Sequence, residues 1–409
     1  MKIMQINKFW RVRGGSERYV FELSRMLEER GHEIIPFAMQ DGDNEPSRYS
    51  SLFVSPVELA DPYRMSLIKR IGVASRILYS KESSSRVSVV ADLSDPDIAH
   101  MHNIYHHLSP SILPPLEDRG VGTVMTIHDY KLTCPALRHY NPEGICERCR
   151  PLHYGSCIRL KCVKDSRGAS VLCAVEMFFH DLKRAYVDGI DRFVAPSRFV
   201  AKKLLDRGIE PGKVQVIPNF VDTARWSPDG GGGDYALYSG RLSEEKGVET
   251  LVRALAALPH VRLKVVGSGM LNHKVRALAL ELGADNIEFL GFRNEDDVRE
   301  LVRQSRFVCI PSEWFENAPM SALEAFACGK PVIGSDIGGI PEMVREGETG
   351  LLAAPGNAEE LGAAVERLWN DPELCREMGH AARAMAEEEY APQVHYEKIM
   401  ETYKQVKRK

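Results

Sequence analysis

Short, β-rich apolar runs alternate with helical patterns along most of this chain, which is the pattern of parallel sheets covered by helices on both faces. Strands are expected at about 2–7, 33–39, 97–102, 122–128 and 191–196, and again at about 235–239, 261–266, 286–290, 306–310 and 331–334. Between the two sets lies Ser227-Pro228-Asp229-Gly230-Gly231-Gly232-Gly233, a flexible glycine linker. Two doubly wound, Rossmann-like α/β domains follow, and because ligands bind beyond the carboxyl ends of such strands, the cleft between the domains is the expected site. With 409 residues, 44% of them hydrophobic, the chain has enough material for two packed cores.

The chain contains no run of 18 or more apolar residues, and Met1-Lys2-Ile3-Met4-Gln5-Ile6 moves directly into a strand pattern, so a cytoplasmic location is expected. Net charge is −4, with 31 basic and 26 acidic residues up to residue 213 and 22 and 31 after it. The first half is therefore the side that favours an anionic acceptor or a membrane surface. Nucleic acid is not an expected partner.

The segment Ser312 to Glu324 places two carboxylates, Glu316 and Glu324, eight positions apart across a loop-to-helix junction. A fully helical interval would separate them by roughly 12 Å, more than the approximately 5 to 9.5 Å of paired hydrolase carboxylates. Between them Ala318-Pro319 puts proline at the expected first helical position, leaving the amides of Met320 and Ser321 open to phosphate. A ligand with hydroxyls at both ends and a diphosphate in the middle fits this segment, and a nucleotide sugar is such a ligand.

Glu316 and Glu324, followed by Ala325-Phe326-Ala327-Cys328-Gly329-Lys330-Pro331 and Gly338-Gly339-Ile340-Pro341-Glu342, closely resemble the family-4 retaining glycosyltransferases of the GT-B fold. Gly14-Gly15-Ser16-Glu17-Arg18 resembles that family's first glycine loop. Thr126-Ile127-His128-Asp129-Tyr130, Ile217-Pro218-Asn219 and Ser239-Gly240-Arg241 through Lys246-Gly247 extend the likeness along most of the chain. The resemblance implies an acceptor-binding domain over 1–218, a nucleotide-sugar-binding domain over 219–390, and a helix over 391–409 that crosses back to the first domain.

It also implies roles. Arg241 and Lys246 would neutralise the departing diphosphate, while the duller reading is a solvated loop in which Glu244 and Glu245 balance Lys246. Glu316 would contact the donor sugar and Glu324 the ribose; otherwise they are an exposed helix-entry acid and a buried carboxylate balanced by Lys330. Gly14, Gly15, Asn317, Ala318, Met320 and Ser321 would line the donor, with Ser16 as the helix N-cap, and Phe292 would follow the loop that cradles the base. His128 would position the sugar, with Glu17, Asp129 and Tyr130 on the acceptor side. Many relatives carry glycine where this chain has Pro319, so their hexose preference does not transfer. Gly267-Ser268-Gly269 fails as a dinucleotide fingerprint because Asn272 replaces its third glycine.

Six of the nine cysteines fall between 134 and 173, in an insertion over about 131–173. Cys146, Cys149, Cys157 and Cys162 could hold a structural zinc; an iron–sulfur cluster, disulfides and free thiols are the other readings. His100, His102, His106 and His107 cluster in sequence and are read as ordinary strand-end histidines. The basic helical pattern over 64–79 could lie on an anionic leaflet or pack on its own domain.

The expected activity is retaining transfer of a hexose-type sugar from a UDP- or GDP-linked donor to the hydroxyl of a sugar or lipid-linked sugar, in surface-polysaccharide or glycoconjugate assembly, with no cofactor required for transfer. The rival readings are a metal-binding regulatory protein on a degenerate GT-B scaffold and a nucleotide-sugar epimerase or hydrolase.

Overall fold

The computed structural model of the chain describes residues 1–57, 67–141, 143–229 and 233–408. In chain order its strands are β1 (Lys2–Ile6), β2 (Glu33–Phe37), β3 (Ile98–Met101), β4 (Gly122–Thr126), β5 (Tyr140–Asn141), β6 (Gly144–Ile145), β7 (Arg192–Ala195), β8 (Val214–Val216), β9 (Ala236–Ser239), β10 (Leu263–Val266), β11 (Ile287–Gly291), β12 (Phe307–Ile310), β13 (Val332–Ser335) and β14 (Gly350–Ala353). They form two six-stranded parallel sheets, ordered β2-β1-β3-β4-β7-β8 and β11-β10-β9-β12-β13-β14, and the antiparallel hairpin β5-β6. β8 and β14, which the sequence reading did not assign, complete one edge of each sheet. Gly230, Gly231 and Gly232 of the expected linker lie outside the described residues.

Burial explains the strand composition. Every residue of β3, β4, β12 and β13 is buried, as expected when helices cover both faces of a parallel sheet. Gly15–Glu29 shows the complementary helical pattern: Tyr19, Val20, Leu23, Met26 and Leu27 are buried, forming one stripe that packs toward the sheet. Strand order reverses beside β1 in the first sheet and beside β9 in the second. The crevices at these reversals are where ligands bind in open sheets, and the loops after β1, β4, β9 and β12 carry the motif residues.

The chain crosses between domains twice. Ile217 and Phe220 pack with the first sheet, whereas Val221 and Trp226 belong to the second domain's core. The return follows Tyr390, whose carbonyl accepts the Val221 amide at 3.0 Å. Helix Pro392–Val406 then buries Ile399, Met400, Tyr403 and Val406 against Ile3, Tyr19, Ile98 and Val124 of the first domain. At Gly122 a Cβ would stand 2.5 Å from the Val406 carbonyl oxygen, so only glycine lets this helix seat.

Candidate active site

On the second domain's side, two loops are locked together by a glycine. Gly247 has φ +65°, and a Cβ there would fall 1.8 Å from the Pro311 carbonyl oxygen, so the loops after β9 and β12 touch only because this residue has no side chain. The contact brings Lys246 Nζ to 2.6 Å from Glu316 Oε1, which also accepts from Ser312 Oγ at 2.6 Å. Lys246 is thus paired with Glu316, not balanced by Glu244 and Glu245. Glu316 is 5% exposed, so it is not the exposed acid of the duller reading. Burial raises its pKa, but the Lys246 charge and the hydrogen bonds from Lys246 and Ser312 outweigh it and hold the carboxyl below its ordinary value. Tyr238 OH donates to the Arg241 carbonyl at 2.7 Å and pins the turn. The Arg241 side chain is exposed, and among the described residues no carboxylate lies within ion-pair distance of it.

The neighbouring helix, Met320–Ala327, starts one residue later than expected: Pro319 is its N-cap and Met320 its first residue. No side chain caps it, so the first amides stay open. Asn219 Nδ2 donates to the Ala318 carbonyl at 3.1 Å and fixes the approach, while buried Asn317 Oδ1 has no hydrogen-bond partner among the described residues. A Cβ on Gly15 would meet Met320 Cγ at 3.6 Å, so the first glycine loop and this helix start face each other across the cleft. Glu324, buried in the same helix, forms an ion pair with Arg18 of the first domain. Burial raises the Glu324 pKa, and Arg18 only partly opposes this. Arg18 has Glu295 at 3.8 Å as well, and the nearby Glu22 carboxyl is pushed up by burial to about 7.

A second interdomain contact arises from Glu342. Its carboxylate accepts the Arg198 and Phe199 amides at 2.7 and 2.6 Å, capping helix Arg198–Asp206 from the opposite domain.

The first domain adds its glycine loop and a neutral histidine pair. Gly14, not Ser16, is the N-cap of Gly15–Glu29; Ser16 lies inside the first turn, and Glu17, in the same turn, is buried. His128 Nε2 meets His102 Nδ1 at 3.0 Å, and His102 Nε2 meets Gln5 Oε1 at 2.8 Å. Because the Gln5 oxygen can only accept, His102 Nε2 carries a proton and its Nδ1 accepts from His128 Nε2, leaving His128 Nδ1 as an acceptor. Burial holds His128 at about 3, so it is neutral at pH 7. The Tyr19 ring meets His128 edge-on at 5.1 Å, and its hydroxyl lies 3.0 Å from His395 Nε2 on the returning helix. Asp129, raised to about 6 by burial, accepts the Lys131 amide at 2.8 Å. Tyr130 is buried among Phe199, His139 and Phe315, so it packs behind the cleft wall.

The remaining sequence candidates separate. Phe292 is 75% exposed beside β11. His100 bonds Tyr403 OH and Thr126 Oγ1, each at 2.7 Å, whereas His106 meets Glu176 at 2.8 Å, so the histidines do not form one group. Cys146, Cys149, Cys157 and Cys162 line one small cavity together with Cys134, which the sequence reading had left out. Of the basic pattern over 64–79, residues 64–66 lie outside the described residues. In helix Leu67–Leu78, Arg76 is held by the Ser55 carbonyl and Glu82, and the Leu78 carbonyl accepts from His180, so this helix is fastened to its own domain. No described helix is long and apolar enough to cross a membrane.

Two parallel-sheet domains facing across a cleft, with a helix returning to the first, define the GT-B architecture. Residues 13–225 match Glycosyltransferase Family 4 and residues 225–385 match Glycosyl transferases group 1. The chain belongs to glycosyltransferase family 4. It is 25% identical to N-acetyl-alpha-D-glucosaminyl L-malate synthase of Bacillus anthracis over 96% of this chain and 93% of that protein. It is 31% identical to an uncharacterized glycosyltransferase of Methanocaldococcus jannaschii over 46% of this chain and 52% of that protein. The chain spans about half the length of that protein and of several other curated relatives it matches. Sucrose-phosphate synthase from Thermosynechococcus elongatus has the same fold, with TM-score 0.73, 20% identity, and coverage of 99% of this chain and 98% of that one. Anabaena HepE in complex with UDP-glucose gives TM-score 0.69, 18% identity, and coverage of 99% and 100%.

Proposed function

We propose that this chain is a retaining glycosyltransferase that moves a hexose-type sugar from a UDP- or GDP-linked donor to a sugar hydroxyl in surface-polysaccharide or glycoconjugate assembly. The observation that carries the reading is the junction of the β9 and β12 loops, where Lys246 and Glu316 meet beside the open helix start at Met320, with exposed Arg241 on the β9 loop. Solved relatives of the same fold hold UDP or UDP-glucose, which supports a nucleotide-sugar donor.

In this mechanism the bond between the sugar C1 and the phosphate oxygen breaks while a bond from C1 to the acceptor oxygen forms on the same face. The acceptor hydroxyl proton passes to the departing phosphate oxygen. Negative charge grows on the diphosphate as the sugar gains oxocarbenium character, and Arg241, the two Lys246 N–H groups not used by Glu316, and the Met320 and Ser321 amides stabilise it. Glu316 holds a sugar hydroxyl and Glu324 the ribose hydroxyls, since an ionised carboxylate accepts from vicinal donors. Neutral His128 accepts from a sugar hydroxyl through Nδ1 and orients it without acting as a charged acid.

Calorimetric titration and thermal shift against UDP, GDP, ADP and their sugars test the reading. Stabilisation by one base and its sugars supports it and names the donor; no binding by any of them rejects it.

A further inference from the structure

The cysteine-rich insertion carries backbone strain with little apolar packing to hold it. Leu137, His139, Leu152, Lys161, Lys164 and Asp165 all have positive φ, between 47° and 71°. Such conformations cost free energy and persist only where their surroundings enforce them. Leu132 and Cys134 reach the first domain's core, but among the described residues the separate buried cluster beyond them is Tyr154, Ala174 and Met177, with Cys149 and Ile158 against it, and the regular structure described within 131–165 is the hairpin β5-β6 and the single turn Gly155–Arg159. None of the nine cysteines is in a disulfide. Small segments of this kind need another cross-link.

The thiols are arranged to supply one. Cys134 after β4, Cys146 and Cys149 after β6, Cys157 in the single turn and Cys162 beyond it converge on one cavity from separate stretches of chain. All five thiols line that cavity, and every pairing among Cys134, Cys149, Cys157 and Cys162 lies within charge–charge reach.

We propose that Cys134, Cys149, Cys157 and Cys162 form a structural centre for a thiophilic metal, with Cys146 at its rim. Each ligating thiol releases its proton to solvent as the metal–sulfur bond forms. Among the described residues, the metal-type side chains with all ligand atoms within 4.8 Å of one another are His106, Cys173 and Glu176. There the Lys131 ammonium, 2.6 Å from Glu176, already supplies the cation. The cavity thiols are therefore more widely spaced than a zinc shell with bonds of roughly 2.3 Å. A single zinc draws them inward, whereas an iron–sulfur cluster fills the cavity at larger separations.

The centre braces the cleft. His139 bonds the Cys146 carbonyl at 3.1 Å and sets its ring against Tyr130 and Phe315, next to Glu316. Arg138 reaches to 3.9 Å from Glu245, next to Lys246. The inference stands independently of the transferase reading, because its readout is metal content.

The test is elemental analysis, acid-labile sulfide and visible absorption on the full chain, purified anaerobically without a metal-binding tag. About one zinc per chain with no visible band, or iron with sulfide and a cluster band, supports the centre and identifies it. Metal-free protein whose cavity thiols all react with a thiol reagent in the native state overturns it. Cys134→Ser should lose the metal and Cys146→Ser should keep it; the reverse overturns the ligand set. Should Cys134→Ser fail to accumulate, stepwise mercurial titration of the wild-type protein decides, because metal release must track the blocking of four thiols.

Discussion

Glu316 and Glu324 stand on the same side of the cleft, both buried and both paired with a cation, yet their partners differ in kind. The partner of Glu316 is Lys246 in its own domain, placed by the Gly247 contact. Glu324 finds its partner, Arg18, in the opposite domain. The first pair exists whatever the domains do; the second exists only while they are together. One is therefore a prebuilt electrostatic fixture, whereas the other reports closure and competes with any ligand hydroxyl that seeks the same carboxylate.

The largest effect should come from Arg241→Ala, because this exposed guanidinium has no ion pair to lose among the described residues and in the proposed mechanism acts only on the leaving group. Turnover should fall roughly 10²-fold or more with the melting temperature unchanged; unaltered kcat removes Arg241 from that role. Lys246→Met tests the fixture. It leaves the Glu316 charge buried and unpaired, at a cost of roughly 3–5 kcal/mol in urea unfolding, and adding Glu316→Gln should recover much of that. A loss that the second change does not reduce means that the pair is not the cause.

Glu324→Ala should weaken donor binding by about 1–3 kcal/mol, the cost of losing a charged hydrogen bond. A double-mutant cycle of Arg18 and Glu324 sharpens the contrast. Coupling should be present without nucleotide and smaller with it, and a coupling that nucleotide leaves untouched places the ribose elsewhere. The smallest effect concerns Glu22. Burial raises its folded pKa from the ordinary glutamate value of 4.5 to about 7, so it favours the fold fully below pH 4.5 and that contribution disappears as pH rises through 7. Glu22→Gln should flatten melting temperature between pH 5 and 8; an unchanged slope assigns the dependence to other groups.

Much of this architecture was legible in the sequence. Ten strands fell close to their expected positions because parallel strands are buried on both faces and read as short apolar runs. In the two six-stranded sheets the unassigned strands, Val214-Gln215-Val216 and Gly350-Leu351-Leu352-Ala353, are edge strands of three and four residues with a glutamine or glycine in them, and the hairpin strands β5 and β6 have two residues each, all too short for a period to register. Local motifs placed Lys246, Glu316 and Glu324, but not the partners that arrive from elsewhere in the chain. Arg18 was visible inside the first glycine motif without a role, since its target is 306 positions away. The same distance problem hid Gln5 and His102 behind His128, and Glu342 as the cap of a helix in the other domain. Ser16 failed as a cap because the helix begins two residues earlier, with Gly14 in the N-cap position.

The two places where the chain passes between domains lie side by side: Val221 is bonded to Tyr390, and His395 Nδ1 bonds the Pro218 carbonyl at 2.8 Å. Two bodies joined at neighbouring pivots have one easy axis of rotation rather than three. Any opening of the domains would then turn like a book on its spine, with Arg18–Glu324 and the Glu342 cap as clasps on the pages.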